Sequence, residues 1–97
     1  MIRHVVVFRW AAGTTAADVA EVAAGLAQLP ALIPALRAYR FGPDLGLRAG
    51  NADFAVVADV DDAEGWRAYA EHPAHRAVLE ERILPIVAER ASVQFEI

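Results

Sequence analysis

The 97-residue chain contains no cysteine and no lysine, and its one serine is Ser92. Without cysteine there is no disulfide, no thiolate nucleophile and no thiolate-held metal. Without lysine, Schiff-base chemistry of the PLP or aldolase kind has no side chain to form on. Ser92 falls in a segment that reads as a terminal strand, away from any nucleophile elbow. No glycine-rich phosphate loop is present. The formal charge is −4 with no basic cluster, which speaks against a nucleic-acid partner. No apolar run approaches the ~20 residues of a membrane span. An enzyme built from what remains works by acid–base chemistry with no protein nucleophile, and no organic cofactor is expected.

Hydrophobic residues make up 57% of the chain, but 22 of them are alanine. The larger apolar residues fall into periodic segments, as expected of a soluble protein with one domain over residues 1–97. The start, Met1 to Phe8, is too short and too strand-like for a signal peptide, so a cytoplasmic location is expected.

Residues Ile2 to Trp10 alternate, with Ile2, His4, Val6, Phe8 and Trp10 on one face and Arg3, Val5, Val7 and Arg9 on the other. This predicts a strand covered on both sides. Thr15 followed by Asp18 resembles a capping box. The helix after it carries Val19, Val22, Ala23, Leu26 and Leu29 at helical spacing and is expected to stop before Pro30. Ala31 to Ile33 reads as a short connection closed by Pro34. Strands are expected over Leu36–Phe41, Asp53–Asp59 and Ser92–Ile97, with a turn-rich loop at 42–52. Asp61 or Asp62 caps a helix through Ala70, and a further helix starts at Pro73, with a kink expected near Ile83-Leu84 from Pro85. The order β-α-β-β-α-β predicts an α+β, ferredoxin-like fold with an antiparallel sheet. Its helix-free face would expose Val5, Val7, Ala55 and Val57. Such a patch calls for a second sheet, hence a homodimer.

The chemistry concentrates in Tyr69-Ala70-Glu71-His72-Pro73-Ala74-His75, which holds two of the three histidines and one of the two tyrosines. Pro73 fits the first position of a helix, where its missing N–H costs nothing. His72 then caps the helix and His75 lies in its first turn, where the helix dipole favours a neutral ring. A neutral imidazole beside a phenol can take, give or orient a proton. The plain alternative for His75 is a core histidine satisfied by a backbone carbonyl; for Tyr69 it is a packed core tyrosine. A metal shared by His72 and His75 would need a third protein ligand, and no transition-metal site is expected.

The Tyr-x-x-His-Pro-x-His run, the first strand Ile2-Arg3-His4-Val5-Val6-Val7-Phe8, the connection Leu32-Ile33-Pro34-Ala35-Leu36 and the strand start Asp53-Phe54-Ala55 together resemble the stress-responsive dimeric α/β-barrel family, Dabb. Among its members the chain is similar to small polyketide cyclases that close aromatic rings by aldol condensation. That resemblance implies Tyr69 and His75 as the catalytic pair, with His4 in the same pocket. It implies that the first helix shapes the pocket; here that helix offers Val22, Ala23 and Leu26 where the cyclases carry large aromatics. Related barrels hold a cation near the connection matched here by the main-chain carbonyls of Pro30, Ile33 and Leu36, although an ordinary helix stop at Pro30 is the stronger reading.

The expected cavity lies between sheet and helices, lined by His4, Val6, Phe8, Val22, Leu26, Val56, Trp66, Tyr69, His75, Val78 and Ile86, and takes a small apolar or aromatic ligand. Aldol-type cyclisation is the leading function. The alternatives are a non-catalytic ligand-binding or stress-response protein, and a cofactor-independent or haem-linked monooxygenase of the wider barrel superfamily.

Overall fold

The computed structural model describes residues 1–97. Strand β1 (Ile2–Trp10) is followed by helix α1 (Ala16–Ala27), the short helix α2 (Leu29–Leu32), strands β2 (Ala38–Pro43) and β3 (Phe54–Val60), helices α3 (Ala63–Glu71) and α4 (Pro73–Val78), a π turn over Leu79–Ile83, and strand β4 (Val87–Glu96). The strands form one antiparallel sheet in the order β2-β3-β1-β4. This is the ferredoxin-like arrangement that the element order predicts.

Local chemistry explains most boundaries. Thr15 and Asp18 form the expected capping box: Asp18 N–H donates to Thr15 Oγ1 at 3.1 Å, and Thr15 N–H donates to Asp18 Oδ2 at 3.0 Å. Asp62 caps α3 by accepting from Gly65 N–H at 2.8 Å. Gly25 lets α1 lie close to α4: a Cβ there would stand 3.0 Å from Arg82 Cδ and 3.2 Å from both Val78 methyls. Arg82 fastens the π turn to α1 through the Glu21 carbonyl at 2.8 Å and its carboxylate at 2.9 Å.

Four boundaries differ from expectation. The first helix ends at Ala27, and Pro30 sits inside the first turn of α2, where it needs no N–H; the segment expected as a plain connection is therefore helical. Strand β2 starts at Ala38 rather than Leu36, because Leu36 N–H turns back onto the Ile33 carbonyl at 3.1 Å. Strand β4 starts at Val87, five residues before Ser92, because pairing with β1 continues past its apolar stretch to Trp10↔Val87. Pro85 does not kink a continuing helix. The chain widens into the π turn, closed by Leu84 N–H to the Leu79 carbonyl at 2.8 Å, and the helix ends there. A proline ring clashes with the carbonyl four residues back, here that of Glu81, so regular α-helix does not pass it.

The core lies between the helices and one sheet face. Phe8, Val22, Leu26, Leu29, Ile33, Phe54, Val56, Ala58, Tyr69, Val78 and Ile83 form one buried cluster. On the opposite face the β1 side chains Val5 and Val7 stand beside Val57 and Ala55 of β3 and Val93 and Ala91 of β4. Val93 and Phe95 are 56% and 47% exposed. At the rim of this face Arg3 grips its cross-strand neighbour Asp59 with two hydrogen bonds of 2.8 and 2.9 Å, which holds that carboxyl below its usual pKa. No helix is long and apolar enough to cross a membrane.

Candidate functional site

Three elements bring the singled-out residues together. His4 projects from the first half of β1 toward the helices, Tyr69 from α3, and His75 from α4. The junction of α3 and α4 is set by His72, which ends one helix and starts the next. Its Nδ1 accepts from Ala74 N–H at 3.0 Å, the capping role its place before Pro73 predicts. The sharp turn carries His75 back under Tyr69, with ring centroids 4.4 Å apart.

His75 Nδ1 lies 3.0 Å from the Ala70 carbonyl oxygen. A carbonyl only accepts, so Nδ1 carries the proton and Nε2 of the neutral ring holds the lone pair. Burial lowers the His75 pKa; the Ala70 hydrogen bond pushes it up in part, and the charge of His72 adds a further lowering. His4 has the opposite arrangement. Its Nδ1 lies 2.8 Å from the amide nitrogen of Gln94, its direct neighbour on β4. With the amide N–H donating, Nδ1 accepts and the His4 proton sits on Nε2. Burial lowers the His4 pKa first, and repulsion from a charged His75 lowers it further. The pair is therefore neutral and complementary: one ring offers a base, the other a donor.

The phenols form a second pair. Tyr69 is 2% exposed, and its hydroxyl lies 2.9 Å from that of Tyr39 on β2. Burial raises both phenol pKa values, so both are neutral. One hydroxyl proton is spent between them and the other is available to an acceptor. The His4 ring lies 6.0 Å from Tyr69 and 6.3 Å from Trp66. The Trp66 indole N–H is buried without a partner, the sole side-chain group in that state.

These groups share a cavity of about 420 Å³ between sheet and helices. His4, Val6, Phe8, Leu26, Val56, Trp66, Tyr69 and His75 line it, as expected. Val22, Val78 and Ile86 do not. Val22 is sealed in the core, Val78 packs on Gly25 of α1, and Ile86 lies beyond the π turn, its carbonyl accepting from Ala11 N–H at 2.7 Å. From His75 the lining ridge runs by steps of four to Leu79 and Ile83, which lie on the apolar side of this helix by their own spacing. Tyr39, Ala70, Leu79, Ile83, Arg90, Ala91 and Ser92 complete the wall. Tyr39 had a legible signal, since it shares strand parity with Phe41 beside a strand that carries Val56. Arg90 had none, because the first residues of β4 were not legible, whereas Ser92 fell at the start of the expected strand, off its apolar face. Of the three carbonyls suggested for a cation, that of Ile33 is engaged by Leu36 N–H, and no group of three or more His, Asp or Glu side chains is placed to hold a metal.

The site can take a proton at His75 Nε2 and offer hydrogen bonds from His4 Nε2–H and the tyrosine pair to an oxygen that gains charge. An uncharacterized protein of Streptomyces coelicolor is 39% identical over 80 residues, covering 79% of this chain and 81% of its own. The crystal structure of a dimeric ferredoxin-like protein of unknown function from Thermobifida fusca matches with a TM-score of 0.93 and 53% identity, over 99% of this chain and 90% of that one. The hydroxynitrile lyase of Passiflora edulis has the same fold, with a TM-score of 0.85 at 18% identity over 99% of this chain and 92% of its own. The model of the stress-responsive A/B barrel domain matches residues 2–97. On that match and these relatives, the chain belongs to the stress-responsive A/B barrel family, Dabb.

Proposed function

We propose that this protein is a homodimeric acid–base enzyme that closes a ring in a small polyketide-like carbonyl compound by aldol chemistry. The observation that carries this reading is that His4 and His75 line one apolar cavity with Nδ1 held in opposite ways, by the Gln94 amide nitrogen at 2.8 Å and by the Ala70 carbonyl oxygen at 3.0 Å. His75 Nε2 removes a proton from the carbon beside a carbonyl. The resulting enolate oxygen is stabilised by the free tyrosine hydroxyl proton and by His4 Nε2–H. The enolate carbon then attacks a second carbonyl of the same molecule, forming the carbon–carbon bond. The new alkoxide recovers the proton from His75. No nucleophile or cofactor enters, in keeping with a chain that lacks cysteine and lysine.

Two further observations support it. The Passiflora edulis enzyme is a lyase on the same fold. The related Thermobifida fusca protein is dimeric, and the open apolar sheet face here is the surface a facing sheet would cover. Residues Val5, Val7, Ala55 and Val57 form its centre.

The test is turnover of a linear poly-β-ketone surrogate against the spontaneous background. His75→Ala and Tyr69→Phe are each expected to lose most of the acceleration, on the order of 100-fold or more for the base, with circular dichroism unchanged. His4→Ala is expected to lose less. Absence of any acceleration by the wild type, with apolar aromatics still bound, supports a binding protein instead. Turnover that requires oxygen supports a monooxygenase.

A further inference from the structure

One charged side chain borders the histidine–tyrosine cavity. Arg90 lines it from β4, on the helix side of the sheet and directly opposite Phe8, and it is exposed, so it stands where the cavity meets solvent. No aspartate or glutamate lines the cavity. Five of the nine arginines are held by carboxylates: Arg3, Arg9, Arg37, Arg76 and Arg82. Arg90 has no such partner, and it is the one unpaired arginine that reaches this cavity. Its chain neighbour Glu89 lies on the other sheet face and is engaged by Arg9 at 3.6 Å. On its own face of β4 the next acid is Glu96, six residues along, about 20 Å at the rise of a strand. Of the acids on the π turn, Glu80 is held by Arg76, and Glu81 borders a different groove beside Gln28. A guanidinium free of internal partners at the rim of an apolar cavity suits a carboxylate, which it can hold through two parallel hydrogen bonds.

We infer that the substrate has an apolar, aromatic or pre-aromatic body with a carboxylate at its solvent end, and that Arg90 selects it by binding that carboxylate. This rests on the acid–base reading of the cavity and adds the substrate class, a keto acid rather than a neutral polyketone. With the acid at Arg90, the body extends inward toward the two histidines and the tyrosine pair.

The test uses the full chain and two ligands of one shape, naphthalene-2-carboxylate and its neutral isostere naphthalene-2-carboxamide, in calorimetric titrations. The wild type is expected to bind the carboxylate about tenfold more tightly, the size of a charge-assisted hydrogen bond. Arg90→Gln is expected to bring the carboxylate down to the level of the amide without changing the amide. Arg90→Lys, which keeps the charge but not the fork, is expected to retain part of the preference. Added salt should shrink it. His75→Ala should keep the preference while losing turnover, which separates the two readings. Equal binding of both ligands by the wild type, or a preference that survives Arg90→Gln, overturns the role of Arg90 and leaves the acid–base cavity standing. Failure of both ligands to bind at millimolar concentration overturns both.

Discussion

The tyrosine pair permits a quantitative test. Tyr69→Phe keeps the ring and creates no cavity, but it removes one partner of the 2.9 Å hydroxyl bond and leaves Tyr39 without its side-chain hydrogen bond. An unpaired buried hydroxyl costs about 1–3 kcal/mol. Tyr39 is only half-buried and borders the cavity, so water can reach the freed group, and the lower part of that range applies, about 1–1.5 kcal/mol. For a domain of this length that lowers Tm by about 4–12 °C. Tyr39→Phe should cost at least as much, because the hydroxyl it strands belongs to Tyr69, which is 2% exposed and loses its one side-chain partner. The double variant removes both polar groups at once. Its destabilisation should match that of a single variant rather than the sum, giving a coupling of about 1 kcal/mol. Urea unfolding of the four proteins at one fixed concentration measures this, since the stability of a dimer depends on concentration. Additive losses, with a coupling below about 0.3 kcal/mol, would refute the hydroxyl pair.

Three other outcomes follow from the same structure. Val7→Glu puts a carboxylate in the centre of the open sheet face; several kcal/mol of desolvation per subunit should weaken the dimer by about a thousandfold or more, seen by sedimentation at micromolar concentration, and an unchanged dimer would contradict the facing-sheet assembly. His72→Ala removes the cap on Ala74 N–H and should destabilise by about 1 kcal/mol in urea unfolding, while leaving turnover per folded molecule within a few-fold of wild type. Because the folded-state pKa values of His4 and His75 lie below 6.5, the unfolded chain binds protons first on acidification; their contribution to stability is present in full above about pH 6.5 and is lost as the pH falls from there through the folded values. For the same reason the acid limb of kcat/KM should fall below pH 6.5, and a limb centred above it would contradict a neutral His75.

Local signals in the chain marked the elements that matter most. The two-residue alternation of Ile2–Trp10 placed His4, Val6 and Phe8 on the helix side, and the proline after His72 fixed the cap that brings His75 under Tyr69. What was not legible depends on partners far along the chain. The face of Tyr39 follows from its parity with Phe41, but its meeting with Tyr69 is set by β2 joining the sheet at the outer edge of β3. The first five residues of β4 carry Glu89 and Arg90 and lack apolar alternation; they are a strand because β1 offers them a ladder, not because of their own pattern. Val78, ahead of the π turn, is buried against Gly25 of α1 rather than in the cavity, and Ile86 falls beyond the turn, so Leu79 and Ile83 complete the wall. His75 joins both sequence expectations for it: a backbone carbonyl holds one ring nitrogen, and that restraint is what leaves the other as a base.

The central claim is that the two histidines in the cavity are neutral and of opposite tautomers. Long-range nitrogen–proton correlation spectra of the labelled protein at pH 7 report this directly, with His4→Gln and His75→Gln supplying the assignments. The account predicts a protonated Nδ1 and bare Nε2 for His75, and the reverse for His4. A charged His75 at that pH, or the same tautomer in both rings, would contradict it.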